Sequence, residues 1–314
     1  MLIIRIYRKF IFIAEKIYSL MTKGEKKILP DWYYDLFHKM VKKVIIQQIG
    51  DIQNLYANAS QEEDEDIEQN KNIVWVMWWQ IDSIPVLISK NIERLKNNDA
   101  YETIVINKSN ISNYLDIPEA ILKEVQNSNI SFASFSDFIR MSLLYKYGGI
   151  WIDSTVLVAN DHWEYLLNKE FITIKSSNTQ FGHKFVPQGR WTIYVIGGQA
   201  GQKMFKFVRD CLYFYMVNKI KFPDYFLVDY LLDIAETTKI GNFSEKINSL
   251  TENNQNHDRL DQLMSEPFSS ELYESLTHDT SFFKLSHKKK YLKINKGQIT
   301  FFGVLYGEKN SNVS

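Results

Sequence analysis

Residues 135–155 read FSDFIRMSLLYKYGGIWIDST. The first half has the character of a helix. Asp137 and Arg140 stand three residues apart, so on a helix they share one face and can meet each other or one ligand. Ser134 or Ser136 is the expected cap. Tyr147 is the expected last residue, because the pair Gly148-Gly149 stops a helix. The second half predicts a strand over residues 150–158, apolar enough to be buried on both faces. Asp153 lies within it, among Ile150, Trp151, Ile152 and Val156. An ionised carboxylate there is costly unless a cation, a hydrogen-bond donor or a ligand meets it. Two arrangements satisfy that need: an internal pair with Arg140, or a ligand site at the edge of the sheet.

The flanking sequence supplies the rest of such a sheet. Residues 73–79 form a nearly continuous apolar run, a first strand. Pro85 opens a helix to about residue 97, as proline at a helix start does. Residues 101–106 read as a second strand and 118–125 as a short helix. Strands alternating with helices over short joins predict an α/β fold with a parallel sheet covered by helices on both faces. Sheets of that kind bind ligands at the carboxyl ends of their strands. Farther on, residues 171–175, 191–196 and 298–305 read as strands, and 203–218 and 224–236 as helices. Pro223 precedes the second of these helices and Asp224 is its expected cap. Asp229, one turn along, is a candidate ligand-binding or catalytic carboxylate. Residues 237–260, rich in Asn, Thr and Ser, predict an exposed loop. The six histidines show no metal-ligand spacing.

Composition narrows the classes. The chain has 314 residues, 45% of them apolar and 24% charged, enough to build a core without disulfides or metals. Lys plus Arg equals Asp plus Glu at 37 each, which argues against a general nucleic-acid binder. The single cysteine, Cys211, excludes an intramolecular disulfide framework and a multi-cysteine zinc site. It fits a reducing compartment and a buried thiol. No run approaches the ~18 apolar residues of a spanning helix. The early run at 10–14 is too short for a signal-peptide core, so a cytoplasmic protein is expected.

Charge is unevenly spread. Residues 1–50 hold ten Lys/Arg against four Asp/Glu, a net of +6, and residues 51–70 hold seven acids and no base. Residues 1–70 therefore read as a helical N-terminal segment with an acidic linker, ahead of a main domain at 71–314. Leu2, Ile3, Ile6, Tyr7, Phe10, Ile13 and Ile17 recur at helical spacing among Arg5, Arg8, Lys9 and Lys16. Such a helix either lies on an anionic membrane surface or packs on the main body. The acidic run at 61–68 reads as a solvated linker.

The stretch SDFIR…LLYKYGGIWIDSTV resembles the Ser-Asp-x-x-Arg and Gly-Gly-x-(Trp/Tyr)-x-Asp-x-(Asp/Thr) signatures of the bacterial capsular polysaccharide synthesis glycosyltransferases. These are relatives of the retaining sugar transferases with an Asp-x-Asp motif. IVWVMWWQ (73–80), WTIYVIGGQAG (191–201), DYFLVDYLL (224–232) and FFKLSHKK (282–289) resemble further pieces in the same order, over roughly residues 72–292. The resemblance implies a GT-A fold, a Rossmann-type sheet that binds a nucleotide sugar, UDP-linked. It implies sugar transfer with retention to a capsular intermediate. The acceptor would be a lipid-linked oligosaccharide at the inner face of the cell membrane, where the basic N-terminal helices would hold the enzyme peripherally.

Carried over residue by residue, Trp78 falls where an aromatic ring stacks on the nucleobase, with Trp75 and Trp79 as neighbours that fit the core. Asp137 falls where a carboxylate binds donor-sugar hydroxyls, and Arg140 where a guanidinium meets the sugar or the diphosphate. Asp153 is the first acid of the Asp-x-Asp motif and the tentative metal ligand. Lys284 and Ser286, in the end motif, fall on the substrate. The chain departs from the wider pattern at Thr155, where the second acid would stand. One carboxylate and one hydroxyl make a weak site for Mn or Mg. Dependence on a divalent cation is therefore expected to be weak or partial, with Arg140 and Lys284 or Lys288 stabilising the leaving group. The rival readings are a non-catalytic nucleotide-sugar-binding or membrane scaffold protein and a sugar-phosphate transferase.

Overall fold

The computed structural model describes residues 2–22, 28–58, 67–68, 72–80, 82–177 and 181–307. Two helices come first, α1 (Leu2–Met21) and α2 (Asp31–Asn58). The alternating part follows: β1 (Ile73–Met77), α3 (Val86–Lys96), β2 (Glu102–Ile106), α4 (Glu119–Gln126), α5 (Phe132–Tyr147) and β3 (Gly149–Ile152). Then come β4 (Val156–Val158), β5 (Phe171–Thr173), β6 (Val195–Gly198), α6 (Lys203–Val217), α7 (Leu227–Thr237) and α8 (Phe243–Ser249). The described chain closes with α9 (Leu260–Leu263), α10 (Ser270–Thr277), β7 (Phe282–Lys284), β8 (Ile294–Asn295), β9 (Gln298–Ile299) and α11 (Phe301–Tyr306). The acidic residues at 61–66 lie outside the described residues.

The central sheet has the order β2-β1-β3-β6-β5. β1 pairs in parallel with β2 and β3, and β6 pairs antiparallel with β3 and β5. Four strands therefore run one way and β6 alone runs against them. This corrects the expected parallel sheet. A parallel return needs a long crossover, and among the described residues no α-helix separates β5 from β6, so β6 comes back antiparallel. The result is a mixed α/β architecture with N-terminal helices.

Side chains alternate along each strand, so the sheet divides the core in two. Ile73, Trp75, Met77, Trp151 and Ile196 face a cluster with α2, α5, α6 and α7. Val74, Val76, Ile150, Ile152 and Val195 face a second cluster with α3 and the C-terminal elements. Burial on both faces is why β1 reads as an unbroken apolar run. Cys211 is buried in α6. The N-terminal helices share the first cluster through Ile4, Ile11, Phe37, Val41 and Ile45. No helix among the described residues is long and apolar enough to cross a membrane.

Several boundaries differ from the sequence reading. α5 begins a turn early because Ser131, not Ser134 or Ser136, is the cap: its Oγ accepts the Ser134 amide at 3.1 Å. The strand expected over 150–158 breaks at Asp153, where the Val156 amide bonds the Asp153 carbonyl at 2.8 Å and turns the chain. β4 then leaves the sheet and pairs with β7. β5 ends early at Thr173, and β6 begins late at Val195, after residues 191–194, which line the cleft described below. Asp224 does not cap α7 directly; its carboxylate accepts the Phe226 amide at 2.9 Å and the helix starts at Leu227. Residues 237–260 hold α8, whose Phe243 and Ile247 are buried. Only Gln298–Ile299 of the last expected strand is extended, before the Thr300-capped α11.

The α5–β3 turn sets the height of the site. From Arg140 to Gly148 the helix covers about 12 Å at 1.5 Å per residue. From Gly149 to Asp153 the strand returns about 13 Å at 3.3 Å per residue. Arg140 and Asp153 therefore finish level. The reversal needs two glycines: Gly148 and Gly149 have φ of 69° and 85°. A Cβ on Gly148 would lie 2.6 Å from the Ala200 nitrogen, and one on Gly149 2.5 Å from the Ile73 carbonyl oxygen. Gly148→Ala and Gly149→Ala should each lose about 1–3 kcal/mol from the left-handed backbone alone. The backbone clash adds to that loss. Urea denaturation measures it, and a wild-type midpoint for both variants would contradict this account.

Candidate active site

The carboxyl ends of β1 and β3 open onto a cleft of about 930 Å³. Trp78, Asp137, Arg140, Asp153, Thr155, Asp229, Lys284 and Ser286, eight residues singled out in the sequence, all line it. So do Trp79, Phe181, Phe185, Tyr194, Tyr225 and Phe226, which make its walls strongly aromatic.

Arg140 lies at the centre of a chain of four charges. Its guanidinium is buried on α5 and donates from Nη1 to Asp137 Oδ1 at 2.6 Å and from Nη2 to Asp153 Oδ1 at 3.0 Å. It also lies over the Trp151 ring, 4.8 Å from the centroid. The same Trp151 donates its indole N–H to Asp153 Oδ1 at 2.8 Å. The second oxygen of Asp153 accepts from Lys284 Nζ at 2.5 Å, and that ammonium also donates to Thr155 Oγ1 at 2.7 Å. Lys284 reaches this point because β7 pairs with β4 in a register that sets it opposite Val156. Its ammonium lies 4.9 Å from the centroid of the Tyr194 ring. The expected Arg140–Asp153 pair is present, and it lies in the cleft.

The charges divide by environment. Burial alone would raise the Asp153 carboxyl, but Lys284 and Arg140 outweigh it and hold the group below its ordinary range. Asp137 has only Arg140, and burial raises it to about 6. Asp229, in the first turn of α7, is buried and accepts one hydrogen bond, from the Trp191 indole at 3.0 Å. Burial pushes it up to about 7. Of these three carboxyls, one is held below its ordinary range and two are raised toward neutrality.

The tryptophans separate clearly. Trp75 is buried and donates to the Gly148 carbonyl at 2.8 Å, a core role. Trp79 packs edge-on to Phe135. Trp78 follows β1 into the cleft, edge-on to His287, and its buried indole N–H has no hydrogen-bond partner among the described residues. Arg140 Nε is likewise buried without a partner. Ser286 is part of the loop after β7, where its Oγ accepts the Lys288 amide at 3.3 Å. Lys288 lines the cleft but is exposed.

A divalent cation would need oxygen donors at Asp153 and Thr155. Arg140 and Trp151 already take one carboxylate oxygen, and Lys284 takes the other together with the Thr155 hydroxyl. Among the described residues no group of three His, Cys, Asp or Glu side chains could hold a metal ion. The donor set does not fit a divalent cation unless Lys284 is displaced.

Sequence reasoning missed Trp151, Trp191, Tyr194 and the aromatic mouth. For Trp151 a signal was present: it is two residues before Asp153, so both point to one face of the strand. Trp191 and Tyr194 come from a distant segment that nothing local ties to Asp153 or Asp229.

The raised Asp229 carboxyl makes stability depend on pH with a defined sign. Its ordinary value is about 4, and in the fold it is about 7. Between those values the folded state binds more protons than the unfolded one, so stability falls as pH rises. Asp229→Asn should match wild type at pH ~4 and become progressively more stable than it by pH ~8. Thermal melts across that range test this, and a difference independent of pH would contradict it.

The chain matches the family described as capsular polysaccharide synthesis protein over residues 27–304. No curated protein and no solved structure matches it. The matched region contains the whole central sheet, α5 with its Asp137 and Arg140, the Asp153 turn, Asp229 and Lys284. The chain belongs to the capsular polysaccharide synthesis protein family.

Proposed function

We propose that this protein is a retaining glycosyltransferase of the GT-A type. In this reading it moves a sugar from a UDP-linked donor to a lipid-linked capsular oligosaccharide. The observation that carries the reading is the Asp137–Arg140–Asp153–Lys284 chain in an aromatic cleft at the carboxyl edge of the sheet. Family membership sets the pathway. Trp78 is the platform for the nucleobase. Asp137 accepts from the hydroxyls of the donor sugar. Asp229 hydrogen-bonds the acceptor side.

The bond between the anomeric carbon and the phosphate oxygen breaks with its electron pair going to the phosphate. Lys284 and Arg140 meet the developing negative charge, the place where fixed charges do most to lower a barrier. The acceptor hydroxyl forms the new bond on the face the phosphate is leaving, and its proton passes to that phosphate. Asp153 keeps both cations in position. With two fixed cations beside it, this site runs without a metal ion in our reading.

Donor hydrolysis and transfer should therefore persist in excess chelator. Lys284→Met should lower turnover per folded molecule by about 10²-fold, the scale for removing one charge-stabilising group. Asp153→Asn and Asp137→Asn should fall by about as much. Trp78→Ala should act on donor affinity, by about 1–3 kcal/mol. Chelator-abolished turnover restored by manganese would overturn the metal-free part. Tight donor binding without turnover would make the protein a scaffold, and UMP rather than UDP as product would make it a sugar-phosphate transferase.

A further inference from the structure

The outer half of α1 carries two exposed rows. Ile6, Phe10, Ile13, Ile17 and Leu20 follow one another at four- and three-residue steps and are 52–80% exposed. Arg5, Lys9 and Lys16 run parallel to them, about 80° round the helix at 100° per residue, and are exposed as well. Neither Arg5 nor Lys9 has a salt-bridge partner among the described residues. The one acid of α1, Glu15, faces inward, where it accepts from the Tyr34 hydroxyl at 2.5 Å and pairs with Lys184 at 2.9 Å. The inward row, Ile4 and Ile11 with Tyr7, Ala14 and Tyr18, packs in the core. The outer half is thus apolar and purely cationic, on a helix too charged to cross a bilayer.

The helix is also tied to the mouth of the cleft. Arg8 pairs with Asp224, next to Tyr225 and Phe226. Lys184 pairs with Glu15, and His183 bonds Asp31 through its amide and Asp35 through its ring. These anchors hold the two segments that carry the rim. There Phe181, Phe185, Phe226 and Tyr225 form a run of rings, with neighbouring centroids 5.3, 5.6 and 5.0 Å apart. All four line the cleft and are 36–62% exposed.

We propose that the outer face of α1 and the aromatic rim form one docking surface for an anionic lipid bilayer, so that the cleft opens onto the membrane. The apolar row sinks to the level of the acyl chains, and Arg5, Lys9 and Lys16 reach the headgroup phosphates. A basic row beside an apolar row is complementary to a negative interface. The rim rings suit the same depth, where aromatic side chains concentrate. This docking does not depend on the reaction in the cleft.

The test uses the full chain and vesicles of phosphatidylcholine with or without phosphatidylglycerol, and no nucleotide sugar, so it is independent of the glycosyltransferase reading. The protein should float with phosphatidylglycerol vesicles, bind pure phosphatidylcholine about tenfold less, and detach as salt rises. Ile13→Glu with Ile17→Glu, at exposed positions, should keep the wild-type melting temperature and weaken binding about tenfold or more. Cys211 is fully buried, so Leu20→Cys and Tyr225→Cys each give one accessible thiol for an environment-sensitive dye. Both labels should shift to the blue on vesicle binding. Absence of binding at low salt, or equal binding by the double variant, overturns the proposal. A blue shift at residue 20 without one at 225 overturns the shared surface. A dimer that the double variant converts to monomer, with no vesicle binding, makes the row a seam between two copies instead.

Discussion

A buried guanidinium must be matched by carboxylates, and around Arg140 that requirement organises the molecule. The side chain is 3% exposed, stacked on Trp151, and bonded to Asp137 on its own helix and to Asp153 beyond β3. Loss of one partner from such a pair costs about 3–5 kcal/mol, because the charge left behind stays buried. The arrangement therefore demands that α5 and β3 keep one relative height, and the Gly148-Gly149 reversal supplies it. It demands a second cation for the far oxygen of Asp153, and β7 brings Lys284. Helix, strand and C-terminal ribbon are held by one line of alternating charge.

That line gives the cleft its chemical character. Four formal charges cancel, so the floor tolerates burial, and Arg140 and Lys284 hold the two oxygens of Asp153 between them. Asp229 differs because its one bonded donor is a neutral indole. Burial leaves its carboxyl raised to about 7.

Much of this was legible in residues 135–155. Helical spacing joined Asp137 to Arg140, the glycine pair placed the reversal, and an acid within an apolar strand announced an unmet need. The boundaries of α3, β2 and α6 followed from proline and periodicity. What could not be read was non-local. Nothing near Val195 says that β6 runs against its neighbours, since only its pairing with β3 and β5 decides that. Nothing near Lys284 says that it faces Thr155, since only the β4–β7 register decides it. The α1 pattern admitted two readings; the structure packs one face of the helix in the core and leaves the other exposed.

The separation of the two cations along the chain bears on how the protein is made. Arg140 precedes Asp153 by 13 residues, whereas Lys284 follows it by 131. At about 5–20 residues per second, a ribosome finishes the β3 segment on the order of ten seconds before it reaches Lys284. During that interval α5 and β3 can already close their pair, but the outer oxygen of Asp153 has no ammonium to answer it. The nascent sheet carries an excess negative charge at its future ligand edge until the C-terminal ribbon docks. Charge balance in the cleft is therefore among the last things biosynthesis completes, and it marks the finished chain from a truncated one.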